Sequence, residues 1–283
     1  MDLNFLNMKI TKHLLDNVEF LDSPNKYVNP FKTTTGLPDS IIIHYTAGTS
    51  FPNNLTIKKP EGGNASAHLV IERDGTVKQL VPFSQRAWHA GKSSYHGRSS
   101  YNDYSIGIEI INAGWLDKKE GDFYTRYYNG RLDVKVPAEE VEEARHKNTK
   151  LGKKYWHKYT DAQITKVEEL CELLCKEYPV TEILGHDDIS PVRKFDPGPL
   201  YPMDDLQDVL NSKDEDRSFT EIEDSGVVSI DLLNIRSGAG ASNEKIAQPL
   251  KKGAKVEILE EKDGWYKVKA ELVGWVNKKF IAE

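Results

Sequence analysis

The chain has 283 residues, of which 38% are hydrophobic and 29% are charged, and its net charge is −6. This length suits one medium-sized domain plus a small one, and the acidic balance argues against general nucleic-acid binding. No apolar run approaches the ~20 residues that cross a bilayer, so we expect no membrane span. The N-terminal residues contain no basic start followed by an apolar block, so we expect no signal peptide.

Several short apolar runs in the first half of the chain predict buried strands. The runs are IIIHY at 41–45, AHLVIE at 67–72, TVKQLV at 76–81 and SIGIEII at 105–111. Asp74-Gly75 lies between the second run and the third, which predicts a hairpin. Glu109 interrupts the fourth run. A carboxylate in a buried strand needs a hydrogen-bonding or ionic partner, or a functional role, unless its side chain faces solvent.

The segment DAQITKVEELCELLCKEYP at 161–179 predicts an amphipathic helix, because its apolar residues recur at helical spacing. Thr160 and Gln163 are placed to form a capping box at its start, and Pro179 ends it. Cys171 and Cys175 are the only two cysteines of the sequence. We expect both in the core, because zinc sites more often use cysteines separated by two residues.

The segment GHDDISPVRKFDPGP at 185–199 is rich in turn-forming residues and holds two candidate metal ligands, His186 and Asp196. Its prolines exclude one continuous helix, so the segment must loop back and can bring the imidazole and the carboxylate to one point. Both are good metal ligands, but two ligands do not make a site. His44, at the end of a predicted buried strand, is the candidate third ligand. The alternative is a proline-stiffened loop with a helix-capping aspartate.

Residues 113–160 form an aromatic, highly charged span with little apolar periodicity. We interpret it as an insertion at the rim of a cleft, with a basic patch at Lys150, Lys153 and Lys154. The aromatic and glycine-rich segment 86–103 is typical of a binding loop. Four further histidines are expected at the surface: His13, His96, His146 and His157.

Five motifs occur in a fixed order: IIIHYTAG, SAHLVIERDG, RAWHAG, NDYSIGIEI and GHDDISPVRKFDPGP. Together they resemble the zinc-dependent N-acetylmuramoyl-L-alanine amidases, the amidase-2 group related to peptidoglycan recognition proteins, over roughly residues 40–200. The resemblance is closest to the branch that also acts on anhydro-muropeptides. It implies an α/β domain with a central mixed β-sheet flanked by helices. The 113–160 insertion departs from the family pattern.

The resemblance also implies roles for individual residues. It implies that His44, His186 and Asp196 bind Zn²⁺, and that Glu109 and Lys194 are catalytic. In the implied chemistry, zinc activates water, Glu109 moves its proton and Lys194 stabilises the oxyanion, although a solvated surface lysine is the alternative for Lys194. Four further residues of the matched motifs are candidates for substrate contact: His89, Trp88, Asn102 and His68. For His68, the alternative is a position behind a metal ligand.

The C-terminal part of the chain changes in character. Residues 211–224 are polar and charged and are expected to be a linker between a catalytic domain at 1–210 and a small all-β barrel at 225–283. LNIRSGAG, DGWYKV and GWVNKKFI resemble the bacterial SH3-like domains that accompany wall hydrolases. Trp265, Tyr266 and Trp275 are candidates for wall contact, with the barrel core as the alternative for the two tryptophans.

The function implied by these resemblances is hydrolysis of the amide bond between N-acetylmuramic acid and L-alanine of the stem peptide, by a monomer acting on peptidoglycan or muropeptides. Two alternatives stay open: a non-catalytic peptidoglycan receptor, and a zinc peptidase that cuts within the stem peptide. A cytoplasmic location and release to the cell wall are both compatible with the sequence. A phage lysin, a wall-remodelling enzyme and a recycling enzyme therefore all remain open.

Overall fold

A computed structural model describes residues 8–59, 64–126, 134–211, 225–240, 243–262 and 264–270. The chain divides into two compact units, Met1–Leu210 and Asn211–Glu283. Most of the linker expected at 211–224 lies outside the described residues, as does the segment GWVNKKFI with Trp275. In the described part of the chain, no helix is both long enough and apolar enough to cross a membrane.

The first unit consists mainly of short strands. Its strands are β1 (Ile10–Thr11), β2 (Leu14–Leu15), β3 (Glu19–Phe20), β4 (Ser40–Tyr45), β5 (Leu69–Ile71), β6 (Val77–Gln79), β7 (Ser94–Tyr95), β8 (Arg98–Ser99), β9 (Ser105–Ile110), β10 (Trp115–Lys119), β11 (Asp122–Thr125), β12 (Lys135–Val136), β13 (Val141–Arg145), β14 (Lys153–His157) and β15 (Glu182–Gly185). The α-helices are α1 (Asp161–Glu177), α2 (His186–Ile189) and α3 (Met203–Asn211).

The central sheet of this unit is mixed, as predicted. It has six strands in the order β15-β4-β9-β5-β6-β3. β4 runs parallel to both β15 and β9, and β5 is parallel to β9 but antiparallel to β6. The hairpin expected at Asp74-Gly75 joins β5 to β6, and Gly75 has a positive φ of 85°. Because β4, β9 and β15 are parallel, their carboxyl ends lie at one edge of the sheet.

The two faces of the sheet differ in chemistry because side chains alternate along each strand. On β9, Ile106, Ile108 and Ile110 point to one face and are fully buried. Gly107 and Glu109 point to the other face, which resolves why Glu109 interrupts an apolar run. This second face carries the polar residues at the ends of the parallel strands.

Helix α1 contacts β5 and begins with the predicted capping box. The Thr160 hydroxyl accepts a hydrogen bond from the Gln163 backbone N–H, and the Gln163 side chain accepts one from the Thr160 N–H. The helix ends at Glu177, two residues before Pro179. Cys171 and Cys175 are both buried in the core, as expected.

Residues 113–160 fold into more regular structure than their sequence pattern indicates. They contain a five-stranded antiparallel sheet in the order β12-β11-β10-β14-β13, which we call the inserted sheet. Its small core consists of Ala113, Leu116 and Val136, packed against Phe123 and Tyr155 among others. These strands carry aromatic residues and lack the alternating aliphatic residues that would have predicted them from the sequence.

Two of the histidines expected at the surface lie instead inside the protein. His146 and His157 are 3% and 4% exposed. The Nδ1 atom of His157 accepts a hydrogen bond from the Ala113 backbone N–H at 3.1 Å, and its Nε2 lies 3.0 Å from Oε2 of Glu140. His157 therefore holds parts of the inserted sheet together, a role that its position in the sequence does not reveal.

The second unit is built from short strands, which is consistent with the predicted SH3-like domain. Its described strands are β16 (Ser225–Val227), β17 (Leu232–Leu233), β18 (Leu250–Lys251), β19 (Lys255–Lys262) and β20 (Trp265–Ala270). Val228, Ile230 and Leu250 form its core. Trp265 is half-buried and Tyr266 is 50% exposed, so Tyr266 has the more accessible ring.

Candidate metal centre

Three buried side chains from separate parts of the first unit converge at the carboxyl edge of the central sheet. His44 is next to last in β4, His186 begins α2, and Asp196 lies on the segment that follows. That segment loops back, because the Asp187 backbone N–H donates a hydrogen bond to the Asp196 carbonyl oxygen at 2.8 Å. The Nδ1 atoms of His44 and His186 lie 2.8 Å apart, and each is 2.9 Å from Oδ2 of Asp196.

The outer nitrogens of both histidines are bonded in a way that fixes where their protons lie. His186 Nε2 lies 3.0 Å from the carbonyl oxygen of Ala90, which can only accept, so this nitrogen is protonated. His89 Nε2 faces the Ser105 carbonyl oxygen at 3.2 Å, so Nδ1 of neutral His89 is an acceptor. It lies 2.9 Å from Nε2 of His44, which therefore donates. In the neutral rings, Nδ1 of His44 and of His186 are both unprotonated.

This proton arrangement leaves electron pairs facing each other at the centre of the cluster. Burial, followed by the neighbouring His186, lowers the pKa of His44 to about 4, so its ring is neutral at neutral pH. Burial would raise the pKa of Asp196, whereas a proton or positive charge on His186, and then on His44, would outweigh burial and lower it, so this carboxylate requires positive charge beside it. Two imidazole lone pairs and a carboxylate then repel one another unless a cation lies among them. The three residues therefore fit a divalent metal ion.

Glu109 and Lys194 lie beside this cluster. Glu109 is the register partner of His44 across β9 and β4, and its Oε2 has no hydrogen-bond partner among the described residues. Burial, followed by the charge of Asp196, raises the pKa of Glu109 to about 8, and Lys194 opposes the shift. Lys194 is half-buried, and no carboxylate in the described part of the chain lies within ion-pair distance of its ammonium group.

The RAWHAG segment lies next to the candidate metal ligands His44 and His186. The His89 ring packs on Gly107, where an added Cβ would come within 2.4 Å of His89 Cγ, so only glycine leaves room for the ring. Asn102 Oδ1 accepts hydrogen bonds from the backbone N–H groups of His89 and Ala90 at 3.0 and 2.7 Å. The structure thus places His89 and Asn102 in support of the ligands. Trp88 is half-buried, and its Nε1 has no hydrogen-bond partner among the described residues.

His68 is fully buried, which leaves it no surface for a substrate contact. Its Nδ1 accepts a hydrogen bond from the Gly107 backbone N–H at 2.9 Å, and its Nε2 donates to the Gln85 carbonyl oxygen at 2.9 Å. The ring stacks with both Phe31 and Phe83, at centroid distances of 6.1 and 6.3 Å. His68 therefore acts through the packing of the β9 strand and not through the cleft.

The inserted sheet supports the loop that carries Asp196. His146 Nε2 lies 2.9 Å from Oδ2 of Asp187, and Lys147 Nζ lies 2.8 Å from Oδ1 of the same carboxylate. His146 Nδ1 accepts a hydrogen bond from the Asn148 backbone N–H at 2.8 Å, whereas its Nε2 lies close to Asp187 without forming an aligned hydrogen bond with it. The insertion therefore contacts the start of the loop that carries Asp196.

Several residues of the site were not singled out from the sequence. Arg193 Nη2 donates to the Ala90 carbonyl oxygen at 2.9 Å, next to the bond from His186. Burial, followed by the charges of Asp196 and Asp187, raises the pKa of Tyr45. Tyr45 directly follows a predicted ligand, and Arg193 directly precedes Lys194. Their position next to predicted site residues was therefore the signal in the sequence that could have indicated them.

Comparison with known proteins identifies the families to which the two parts of the chain are similar. A family model described as N-acetylmuramoyl-L-alanine amidase matches residues 34–199, which is more than half of the chain. The chain belongs to this amidase family. A second model, described as a bacterial SH3 domain, matches residues 231–282. Both resemblances read from the sequence motifs are thereby confirmed.

The chain is similar to curated members of the family over part of their length. The 1,6-anhydro-N-acetylmuramyl-L-alanine amidase AmpD of Enterobacter cloacae is 38% identical over 138 residues, which are 48% of this chain and 52% of AmpD. The N-acetylmuramoyl-L-alanine amidase AmiD of Escherichia coli (strain K12) is 29% identical over 175 residues, or 59% of this chain and 51% of AmiD. The chain spans about half the length of the curated relatives it matches.

Solved structures of related amidases also match. The crystal structure of a Se-Met AmpD derivative is 26% identical, with a TM-score of 0.49 and coverage of 72% of this chain and 99% of that one. The complex of E. coli AmiD with anhydro-N-acetylmuramic acid-L-Ala-D-γ-Glu-L-Lys is 30% identical, with a TM-score of 0.44 and coverage of 61% and 57%. The family assignment rests on the sequence match.

Proposed function

We propose that this amidase is a zinc hydrolase that cleaves the amide bond between N-acetylmuramic acid and the L-alanine of peptidoglycan stem peptides. The observation that carries the proposal is the convergence of three lone-pair donors, from His44, His186 and Asp196, beside Glu109, whose Oε2 has no hydrogen-bond partner in the described part of the chain. A receptor that only binds peptidoglycan has no need of such a cluster, because repulsion among its members destabilises the fold when no cation is bound.

Zinc is the metal that this donor set suits best, since two imidazole nitrogens and one carboxylate oxygen leave a position open for water. When bound, zinc supplies a positive centre that lowers the pKa of that water toward ~7 and polarises the scissile carbonyl. His44, His186 and Asp196 would hold the ion. His89 and the Ala90 carbonyl group would orient the two imidazoles by accepting their Nε2 protons.

Glu109 is the group placed to move the proton. Its carboxylate lies beside His44 on the neighbouring strand, and a pKa of about 8 lets it both accept and return a proton near neutral pH. We assign it the transfer of the proton from the attacking water to the nitrogen of the leaving L-alanine. Without that transfer the amine is a poor leaving group, and the amide re-forms.

Lys194 is the group placed to stabilise negative charge on the scissile carbonyl oxygen. It is two residues before Asp196, and its charge acts on both Glu109 and His44. An ammonium group without a competing carboxylate partner can interact with the oxyanion that develops during attack. It contributes more in the transition state than in the ground state, which is the condition for accelerating the reaction.

The SH3-like domain would add affinity for the polymeric wall. A second binding module raises the local concentration of the enzyme on a polymer but not on a small soluble substrate. We therefore propose that residues 1–210 carry out the reaction and that residues 225–283 tether them to peptidoglycan through a linker at 211–224.

The direct test is mass spectrometry of the products from intact sacculi and from soluble muropeptides, with the Glu109→Gln variant as a matched control. The proposal predicts free muramic acid carboxyl groups and peptides that begin with L-alanine. Shortened stem peptides that are still attached to muramic acid would show instead that the protein is a peptidase that cuts within the stem peptide. Binding without any product, by both the zinc-loaded protein and the variant, would show a receptor.

A further inference from the structure

The inserted sheet presents an aromatic and cationic surface next to the metal centre, which the proposed mechanism does not use. We call it the Trp115 surface and define it as Trp115, Arg126, Lys154 and Phe195. The Trp115 ring stacks on Phe195 with a centroid distance of 4.9 Å and an interplanar angle of 29°. Phe195 lies between Lys194 and Asp196 in the sequence, so this surface begins at the catalytic loop itself.

The strand register places the charged members of this surface together. Trp115 pairs with Trp156 across β10 and β14, and Lys154 is two residues from Trp156, so all three lie on one face of the sheet. Leu116, the residue after Trp115, pairs with Thr125, so Arg126, the residue after Thr125, lies beside Trp115. The backbone beside Trp115 also approaches the metal site, because an added Cβ on Gly114 would lie 2.5 Å from the Tyr45 ring.

The two cations of the surface have no acidic partner in the described part of the chain. The Arg126 guanidinium carbon is 4.3 Å from the centroid of the Trp115 ring, and Lys154 Nζ is 6.0 Å from it. No described carboxylate lies within ion-pair distance of either group, whereas Lys153 on the same strand pairs with Glu143 at 3.6 Å. Asp117 and Glu142 share the face without pairing with either cation.

This arrangement suits one class of ligand. A guanidinium group stacked on an indole ring is held in orientation, and its planar edge remains free to donate two parallel hydrogen bonds. Carboxylates accept such a pair with good geometry. Lys154 adds a second positive charge, and the rings of Trp115 and Phe195 exclude water from one side, which strengthens the attraction.

We propose that the Trp115 surface binds a free carboxylate of the stem peptide, on the peptide side of the scissile bond. This inference rests on the proposed function. Charge decides the side, because the lactyl carboxyl group of muramic acid is consumed in the scissile amide and leaves no anionic group on the sugar side. In a stem of the form L-Ala-D-γ-Glu-L-Lys, the γ linkage leaves the α-carboxylate of the second residue free. That carboxylate lies roughly 7 Å from the scissile nitrogen, about two residues of extended chain.

The experiment is a calorimetric titration of the zinc-loaded full chain with two tripeptides, L-Ala-D-γ-Glu-L-Lys and its analogue with a carboxamide at the glutamate α-position. Both carry an amidated C-terminus, so they differ in one negative charge. Three variants accompany the wild type: Arg126→Gln, Arg126→Lys and Lys118→Gln. Lys118 is the matched control, because it lies on the same strand as Trp115 but on the opposite face, against Phe123 and Tyr155.

We expect the wild type and Lys118→Gln to bind the carboxylate peptide about tenfold more tightly than the carboxamide peptide, which corresponds to one well-formed charged hydrogen-bond pair. Arg126→Gln should bind both peptides equally, and Arg126→Lys should be intermediate, because it keeps the charge but loses the planar pair of donors. Muropeptides carrying the same two stems should differ in KM and not in kcat. Equal melting temperatures of Arg126→Gln and wild type would exclude a loss of fold.

Several results would overturn the carboxylate site. These are equal affinity of the wild type for the two peptides, an unchanged preference in Arg126→Gln, an equal loss of preference in Lys118→Gln, or no binding of either peptide. The titration is independent of hydrolysis. If the full chain releases no L-alanine-terminated peptide from any muropeptide, the proposed function fails, whereas the peptide affinities still decide the role of Arg126.

Discussion

The Nε2 atom of His44 lies 2.9 Å from the Nδ1 atom of His89, whose ring packs on Gly107. This contact joins the candidate metal ligand His44 to the RAWHAG segment and sets the tautomer that leaves the His44 lone pair facing the centre of the site. Partners of this kind typically contribute ten- to a hundredfold in metal affinity.

Replacing His89 by Phe should weaken zinc binding by roughly 10–100-fold while one zinc per chain still binds at saturation. The phenyl ring fills the space over Gly107 but leaves the Nε2 proton of His44 without an acceptor. Competition with a chromophoric chelator measures the dissociation constant. His96→Phe, at an exposed histidine, is the control. An unchanged affinity in His89→Phe would contradict a supporting role for this residue.

Replacing His44 or His186 by Ala should abolish stoichiometric zinc binding and activity, because two ligands hold zinc far more weakly than three. The wild type should contain one zinc per chain by elemental analysis. Removal of the metal by a chelator should abolish hydrolysis, and added zinc should restore it. Full zinc occupancy in the double variant would show that the ligands lie elsewhere.

Glu109→Gln should lower kcat by at least ~100-fold with zinc content and melting temperature unchanged, since the amide keeps the shape of the side chain but cannot accept the proton. Lys194→Ala should also lower kcat with normal zinc content, but by a smaller factor, because it removes charge stabilisation and leaves proton transfer intact. Steady-state kinetics on a soluble muropeptide separate the two. Near-normal turnover in Glu109→Gln would mean that another group moves the proton.

The stability of the protein should fall as pH falls from about 6.5 to about 4, in part through His68. Burial lowers the pKa of His68 from 6.5 to about 4 in the folded protein. Between these pH values the unfolded chain binds a proton at His68 that the folded chain does not. Lowering the pH through this range therefore reduces the free energy of unfolding by up to about 3 kcal/mol, whereas above pH 6.5 His68 causes no such loss. Denaturant unfolding of wild type and His68→Gln across this range isolates the effect. Parallel pH profiles would exclude it.

A fragment comprising residues 1–210 should cleave soluble muropeptides about as well as the full chain, because all residues of the metal centre precede residue 200. On intact sacculi the fragment should be slower, and the difference should shrink as enzyme concentration rises. Initial rates of both proteins on both substrates provide the measurement. An equal loss on both substrates would mean that the SH3-like domain shapes the active site, and an equal rate on sacculi would mean that it binds another ligand.

Local pattern in the sequence was sufficient to predict several elements of the fold. The apolar runs predicted β4, β5, β6 and β9, and Thr160, Gln163 and Pro179 predicted the ends of α1. These predictions succeed because strand burial and helix capping depend on neighbouring residues. The five-stranded inserted sheet was missed, because its strands are covered by aromatic rings and ion pairs and carry no alternating aliphatic pattern.

The sequence by itself determined the family, the identity of the candidate ligands and the division into an amidase region and an SH3-like region, because ordered motifs carry that information whatever their distances in space. Only the tertiary structure decided what His89, His68 and His146 do. All three are buried, and each takes its role from atoms distant in sequence: Nε2 of His44, the Gly107 N–H and the Asp187 carboxylate. Chemical type limits what a histidine can do, but its hydrogen-bond partners, which the packing of the chain supplies, decide whether it binds a metal, supports a ligand or holds a strand.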